Sequence, residues 1–311
     1  MRAHELPLGI DLGSKRVRMA LATDSSHGIR IEAISVRDRT GVDDDMLAML
    51  LEEMRDELGA RTRQCCMALN CTEARIDSLS LPSMSTRERR SAAIIDAERR
   101  LGRDDGRAVR VFRTESVDRY AIGITARSSV ETRKALARRA GLRLVRIEHE
   151  CAAYRSLGSA VECVIDVGGS STRVFEYEAI IPTVHLFDEG GQNITSEIAR
   201  SLQIDHHNAE LRKRIVGTLG ECEAAFRRFL TWLTSILVRR HEAPRGSVLM
   251  VGNGSRVPEF RSLCAERFPP GSIAGSCAAL ERSSYPMDVC RAAFSDWALA
   301  IALSTIVDAS G

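Results

Sequence analysis

Apolar and polar positions alternate with a period of two through Leu8–Leu21, break at a small polar turn, and resume beyond it. A strand from Ile29 to Val36 follows. Asp43, Asp44 and Asp45 then open a helix whose Met46, Leu47, Leu50, Met54 and Leu58 form a stripe ending at Gly59. Cys65–Leu69 reads as a short buried strand. Arg75–Leu81 alternates like a strand until Pro82, and Ser85 with Glu88 makes a capping box for a helix running to Leu101. Beyond a polar loop (Gly102–Gly106), strands are predicted near Val109–Thr114 and Arg119–Ala126. Ser128 and Glu131 cap a further helix that stops at Gly141. A strand, Leu144–Ile147, leads into a helix beginning at Glu148.

In the second half, Val164–Phe175 again reads as strand, glycine turn and strand. Helices are predicted from Gly190 to Leu202 and over Asn208–Arg240, the latter carrying Leu211, Ile215, Leu219, Phe226, Phe229, Leu230, Leu233 and Leu237 on one face. Ser247–Val251 is a buried strand, Gly252–Gly254 a tight loop, and Ala292–Val307 a closing helix.

The two hairpins carry the candidate chemistry. Each sets an aspartate at the end of a strand (Asp11, Asp166), a glycine two residues on (Gly13, Gly168) and small polar residues beside it. Glycine admits backbone geometry closed to other residues, and hydroxyls stand next to freed N–H groups. A carboxylate beside such a nest suits a magnesium-bound phosphate. In both copies a strand follows the glycines, where a Rossmann or P-loop site would enter a helix, so both of those folds are disfavoured. Two such devices half a chain apart predict two similar halves that clamp one phosphate chain.

Composition narrows the class. At 311 residues the chain can hold two lobes, and its 44 basic and 42 acidic residues nearly cancel, giving no reason to expect nucleic acid or an anionic membrane surface. Nine cysteines without a C-x-x-C pair fit buried thiols in a reducing compartment, and the vicinal Cys65–Cys66 pair reads as packing. The N-terminal residues lack an apolar signal core, and the apolar stretch Trp297–Val307 is too short to cross a bilayer, so the expectation is a soluble cytoplasmic protein. Arg87, Arg89, Arg90, Arg99, Arg100, Arg103, Arg107 and Arg110 crowd one region and read as a solvated face. His206–His207 has no metal-ligand spacing. Glu150 is either a helix-dipole partner or a carboxylate aimed at a cleft.

In this order the pieces resemble the actin-like ATPase superfamily, and within it the PilM type of type IV pilus assembly. Leu8–Leu21 and Val164–Phe175 are similar to its two phosphate hairpins, Glu148–Ala153 and Asp296–Val307 to its connecting helices, and Val248–Val257 to its adenosine loop. The PilM likeness rests on the insertion with its Leu81–Leu101 run and Ala140–Leu142, on Glu189–Leu202, and on the Ala-Glu-x-x-Lys element Ala209–Lys213.

The resemblance implies an α/β, actin-like (ribonuclease H-like) two-lobed ATPase fold with an inserted β-α-β-β-α subdomain. Residues 1–72 and 142–160 would form the first lobe, 73–141 the insertion, and 161–311 the second lobe with a helical insertion at about 191–245. It further implies Mg-ATP bound between the lobes. Asp11 and Asp166 would hold magnesium through water, while Gly13, Ser14, Lys15, Gly168, Gly169, Ser170, Ser171 and Thr172 cradle the phosphates. Glu210 and Lys213 would reach ribose and base. Gly252, Asn253, Gly254, Ser255 and Arg256 would floor the adenosine, and Glu150 would place metal or attacking water.

The implied partner is the N-terminal cytoplasmic tail of a bitopic, PilN-like inner-membrane protein, gripped by the insertion. The chain itself would be cytoplasmic and peripheral at that membrane without inserting into it, with room for self-association and at most slow hydrolysis. Three positions depart from the family pattern: Asn253 stands for a glycine, Cys151 for a proline, and Gly102–Gly106 for a Pro-Phe turn. The terminal Val-Asp-Ala-Ser-Gly lacks the amphipathic tail of the cell-division relative FtsA. Two other readings compete: a small-molecule kinase of the same superfamily, for which no catalytic aspartate in a substrate insertion can be placed, and a nucleotide-free homologue like the secretion L proteins.

Overall fold

The structure, a computed structural model, describes residues 4–101, 106–113, 119–158, 161–177, 181–217, 247–260, 273–274, 277–283 and 287–306, with residues 228, 231, 232, 235, 262 and 285. The predicted apolar face beyond Val216, the core of the 102–106 loop and the end of the closing helix lie outside them. The chain divides into two compact units. One holds Met1–Ser156, Tyr177–Pro182 and Leu299–Gly311, and the other Leu157–Glu176 and Thr183–Ala298.

In the first unit, β2 (Leu8–Leu12) is the pivot of a six-stranded sheet. It pairs antiparallel with β3 (Arg16–Asp24) and parallel with β5 (Gln64–Leu69), which pairs parallel with β9 (Arg143–His149). β3 also takes β4 (Arg30–Asp38) and the short β1 (His4–Glu5), both antiparallel. Leu8 and Ile10 share one face with Val17, Met19 and Leu21, and that face packs on helices α1 (Asp44–Glu57) and α3 (Arg127–Arg139) in one core. Gly9, of opposite parity, meets helix α8 (Met287–Thr305): a Cβ there would stand 1.9 Å from the Ala300 carbonyl oxygen and 2.5 Å from the Ser304 nitrogen.

The phase of α1 differs from the sequence reading. Leu47, Ala48, Leu51 and Met54 are buried, while Met46 is 52% exposed. The apolar stripe is wider than the sheet contact, and the contact selects the Leu47–Leu51–Met54–Leu58 line. Asp43 caps this helix by accepting from the Asp45 and Met46 amides.

The insertion builds its own three-stranded antiparallel sheet from β6 (Ala74–Ser80), β8 (Arg119–Ala126) and β7 (Arg107–Arg113), in that order. Helix α2 (Thr86–Leu101) covers one face, with Ala93 and Ala97 against Leu79, Ile122 and Ile124. The expected capping box is present: Ser85 N–H donates to Glu88 Oε2 at 2.8 Å and Glu88 N–H to Ser85 Oγ at 3.3 Å. The box expected at Ser128 is not. Helix α3 begins two residues earlier, Ala126 occupies its N-cap without a side-chain bond, and Glu131 pairs with Lys134 instead. Leu136, Ala137 and Ala140 pack α3 into the core of the six-stranded sheet.

The second unit repeats the plan. Its five-stranded sheet pivots on β10 (Val161–Val167), antiparallel to β11 (Thr172–Glu176) and parallel to β13 (Ser247–Val251). β12 (Thr183–Phe187) and the short β14 (Ile273–Ala274) form the edges. Cys163, Ile165, Val167 and Val174 face α5 (Gly191–Leu202) and α6 (His206–Val216) in a single core. Helix α4 (Glu150–Arg155) precedes β10, and a short α7 (Ala278–Glu281) precedes α8.

Two substitutions test this packing by urea denaturation. Leu51→Ala should cost about 2–5 kcal/mol and Met46→Ser no more than about 0.5 kcal/mol, the reverse order placing the wrong face of α1 inside. Gly9→Ala should destabilise by about 1–3 kcal/mol or more, because the obstructing atoms are backbone; an unchanged midpoint would mean that α8 does not approach β2.

Candidate nucleotide site

Each hairpin projects its aspartate from the strand face opposite the apolar core of its unit. Alternation does this: in β2, Leu8 and Ile10 point one way and Gly9 and Asp11 the other, and in β10 Asp166 lies opposite to Ile165 and Val167. Asp166 is 4% exposed, and Asp11 is half-buried. The ladder sets an arginine directly across from each one. Arg18 NH1 lies 3.0 Å from Asp11 Oδ2, and Arg173 NH2 lies 2.9 Å from Asp166 Oδ2. The sequence reading missed both arginines, although each stands seven residues after its aspartate.

The turn glycines work differently from the expectation. Neither Gly13 nor Gly168 has a positive φ. They supply room: a Cβ would come within 2.9 Å of the Arg16 carbonyl oxygen in the first hairpin and 2.8 Å of the Ser171 carbonyl oxygen in the second. Ser14, Lys15 and Ser170 are exposed at the turns. Thr172 is buried and its hydroxyl donates to the Glu189 carbonyl at 2.9 Å.

In the second unit several predicted residues come together. The Gly191 and Gln192 amides, at the start of α5, donate to the Gly168 and Gly169 carbonyls at 2.9 and 2.8 Å. Gly252 does require the left-handed region, at φ 83°, and a Cβ there would lie 2.4 Å from the Val167 carbonyl oxygen and 2.5 Å from Asp166 Oδ1. The loop after β13 is thereby pressed onto the hairpin. It continues as a 3-10 turn, Asn253–Arg256, in which the Ser255 hydroxyl donates to the Gly252 carbonyl.

A polar network runs from α6 to that turn. Lys213 is 4% exposed, and its ammonium donates to the Gly191 carbonyl (2.8 Å), Thr195 Oγ1 (2.7 Å) and Glu210 Oε2 (2.6 Å). Three protons meet three acceptors, which offsets the cost of taking the charge out of water. Glu210 also accepts from Arg214 Nε at 2.9 Å. Oriented to satisfy its neighbours, the Asn253 amide accepts from Arg214 at 3.0 Å and donates to Asp296 Oδ1 at 3.2 Å. Asp296 Oδ2 in turn accepts from Arg256 at 3.0 Å. Asn253 is therefore a link between α6 and α8. Burial alone would raise the Glu210 carboxyl. Lys213, with Thr195 and Arg214, outweighs it and brings the group to about 2.

Glu150 is 1% exposed at the start of α4, and its Oε1 accepts from the Cys71 amide at 2.8 Å, tying the loop after β5 to the helix. His149 Nδ1 accepts from the Cys151 amide, which leaves Nε2–H facing the Ala74 carbonyl at 3.2 Å. Desolvation pushes the Cys65 and Cys66 thiols up to about 12 and about 11, as packing residues rather than a redox pair would have them.

Magnesium takes oxygen ligands and keeps several waters. Each hairpin offers one carboxylate paired with a guanidinium, and among the described residues no group of three or more His, Cys, Asp or Glu side chains gathers around a point. These donors fit an ion carried in on phosphates and held through its waters, not one caged by protein.

The Glu210 network has a pH signature. The folded carboxyl titrates at about 2 against an ordinary 4.5, so its stabilising effect is complete above pH 4.5 and is lost as pH falls toward 2. The stability advantage of wild type over Glu210→Gln, measured by urea unfolding, should shrink across that window; an advantage independent of pH would dismiss the ion pair.

Comparison with solved structures accounts for the plan. A chain of the PilM–PilN type IV pilus biogenesis complex superposes with a TM-score of 0.80 at 18% identity, over 96% of this chain and 97% of that one. The ethanolamine utilization protein EutJ of Carboxydothermus hydrogenoformans gives 0.57 at 15% identity, over 97% and 90%. Component A of the (R)-2-hydroxyglutaryl-CoA dehydratase of Acidaminococcus fermentans gives 0.50 at 13%, over 96% of each. No protein-family model matches the sequence, and no curated protein does. Two units that each pivot on a strand–glycine-turn–strand hairpin, with these likenesses, establish the actin-like ATPase fold for this chain.

Proposed function

We propose that this chain is an ATP-binding, actin-like scaffold protein of a type IV pilus or a related secretion or competence machine. The observation that carries the reading is the match to the PilM–PilN complex over nearly the whole of both chains. In this reading Mg-ATP is bound by the glycine hairpins of both units. The Gly252–Arg256 turn is the adenosine floor, and Glu210 is the ribose or base contact. Lys213, whose protons are committed within the second unit, holds Glu210 and the start of α5 in place. Glu150 positions the loop at Cys71.

The insertion, residues 73–141, is the proposed dock for the cytoplasmic tail of a PilN-like inner-membrane protein, which would hold this chain at the membrane from the cytoplasmic side. Among the described residues no helix is long and apolar enough to cross a membrane. Helix α2 of the insertion leaves Ile94 and Ile95 exposed, as a protein-binding surface would.

Calorimetric titration with Mg-ATP should give saturable binding that Asp11→Ala and Asp166→Ala each weaken at least about tenfold. Affinity unchanged in both variants would end the nucleotide reading. A synthetic peptide of the cytoplasmic N-terminus of a bitopic membrane protein encoded beside this chain should bind as well, and its failure to do so would remove the scaffold assignment.

A further inference from the structure

The carbonyl groups of the two glycine turns are held by different means. In the second unit the Gly168 and Gly169 carbonyls accept from the Gly191 and Gln192 amides, at the start of α5. In the first unit a side chain takes that place. Arg39, just beyond β4, donates from NH1 to the Gly13 carbonyl at 3.2 Å and to the Leu12 carbonyl at 3.4 Å. Its backbone N–H donates to the Lys15 carbonyl at 2.9 Å. Gly13 and Gly168 stand at the same place, two residues after the aspartate. A guanidinium in one unit thus meets the carbonyl that a helix N-terminus meets in the other.

Peptide geometry gives the consequence for the turn. In a trans peptide the C=O and the N–H point in opposite directions, and no peptide among the described residues is cis. With the Leu12 and Gly13 carbonyls drawn to Arg39, the N–H groups of Gly13 and Ser14 face away from it. Ser14 and Lys15 are exposed, so these amides belong to an open turn, and successive N–H groups on one side of a turn receive anions. Rotation of the Gly13–Ser14 peptide, the motion that interconverts turn types, would offer a carbonyl oxygen instead and repel a phosphate. The bond from Arg39 opposes that rotation. Charge acts in the same sense. Asp11 is offset by Arg18, whereas among the described residues no carboxylate pairs with Arg39, and its positive charge is added to the turn.

Resting on the nucleotide reading above, we propose that Arg39 is a positioning residue for Mg-ATP. It fixes the peptides of the first glycine turn so that the Gly13 and Ser14 amides face the phosphates, as the start of α5 does for the second turn. The guanidinium acts through the turn and not on the ligand.

Mg-ATP titration and urea unfolding, run on the same proteins, test it. Arg39→Met should weaken binding at least about tenfold with a urea midpoint close to that of wild type, and Arg39→Lys, which keeps a charged donor, should recover part of the affinity. In nitrogen-15 spectra the Ser14 amide resonance should shift when wild type is saturated with Mg-ATP, and shift less when Arg39→Met is saturated. Wild-type binding with Arg39→Met unaffected overturns the proposal and leaves the nucleotide reading intact. A loss of affinity that follows a lowered urea midpoint and is not recovered by Arg39→Lys assigns Arg39 to stability alone, and overturns it too. So does wild-type binding that leaves the Ser14 resonance in place, a measurement that needs no variant to fold. Absence of wild-type binding removes the nucleotide reading and this proposal together.

Discussion

The ladder between a short buried strand and its antiparallel neighbour is the constraint on which both units depend. Because side chains alternate along a strand, one face of β2 and of β10 is apolar and buries the core, while the other is left to carry an aspartate beside a glycine turn. Because residues across an antiparallel ladder stand about 5 Å apart, the arginine on the returning strand is placed within reach of its aspartate. Packing and chemistry are in this way assigned to opposite sides of the same five or seven residues. A one-residue slip in either hairpin would exchange them.

Backbone proximity organises the rest of the second unit. The first amides of α5 are satisfied by the carbonyls of the Gly168–Gly169 turn, and the loop at Gly252 rests on the same hairpin. Such approaches exclude side chains, which is why glycines collect here. Around them, the charges that remain are matched in sequence: Lys213 to Glu210, Glu210 to Arg214, Arg214 through Asn253 to Asp296, and Asp296 to Arg256. A buried ammonium is tolerable only with its protons all placed, and the i, i+3 spacing of Glu210 and Lys213 on α6 supplies one of the three acceptors locally while α5 supplies the other two.

Fold and candidate site differ in how far they could be read from residues alone. Period-two runs, a capping box at Ser85 and Glu88, and the glycine stop at Gly141 are local signals, and they mark the elements within a residue or two. Two hairpins of one design half a chain apart were also plain in the sequence. Ser128 misled, because a serine near a helix start caps it only if the preceding backbone places it outside the first turn, and the chain enters α3 from β8 without a gap. Candidate site residues could be proposed from their motif, but not what holds them: nothing local says that Glu150 takes the Cys71 amide 79 positions away, or that Thr195 receives Lys213.

The sequence by itself determined the order of elements, the repeated aspartate–glycine hairpin and which residues are candidates for phosphate chemistry, since these depend on neighbours within a few positions. Tertiary structure alone decided which line of α1 is buried, that α3 packs into the main sheet, and that Lys213 and Asn253 serve as internal connections. Periodicity shows that a helix or strand has an apolar side. Only the element packed against it selects which of its residues touch, and which polar groups must then find partners out of water.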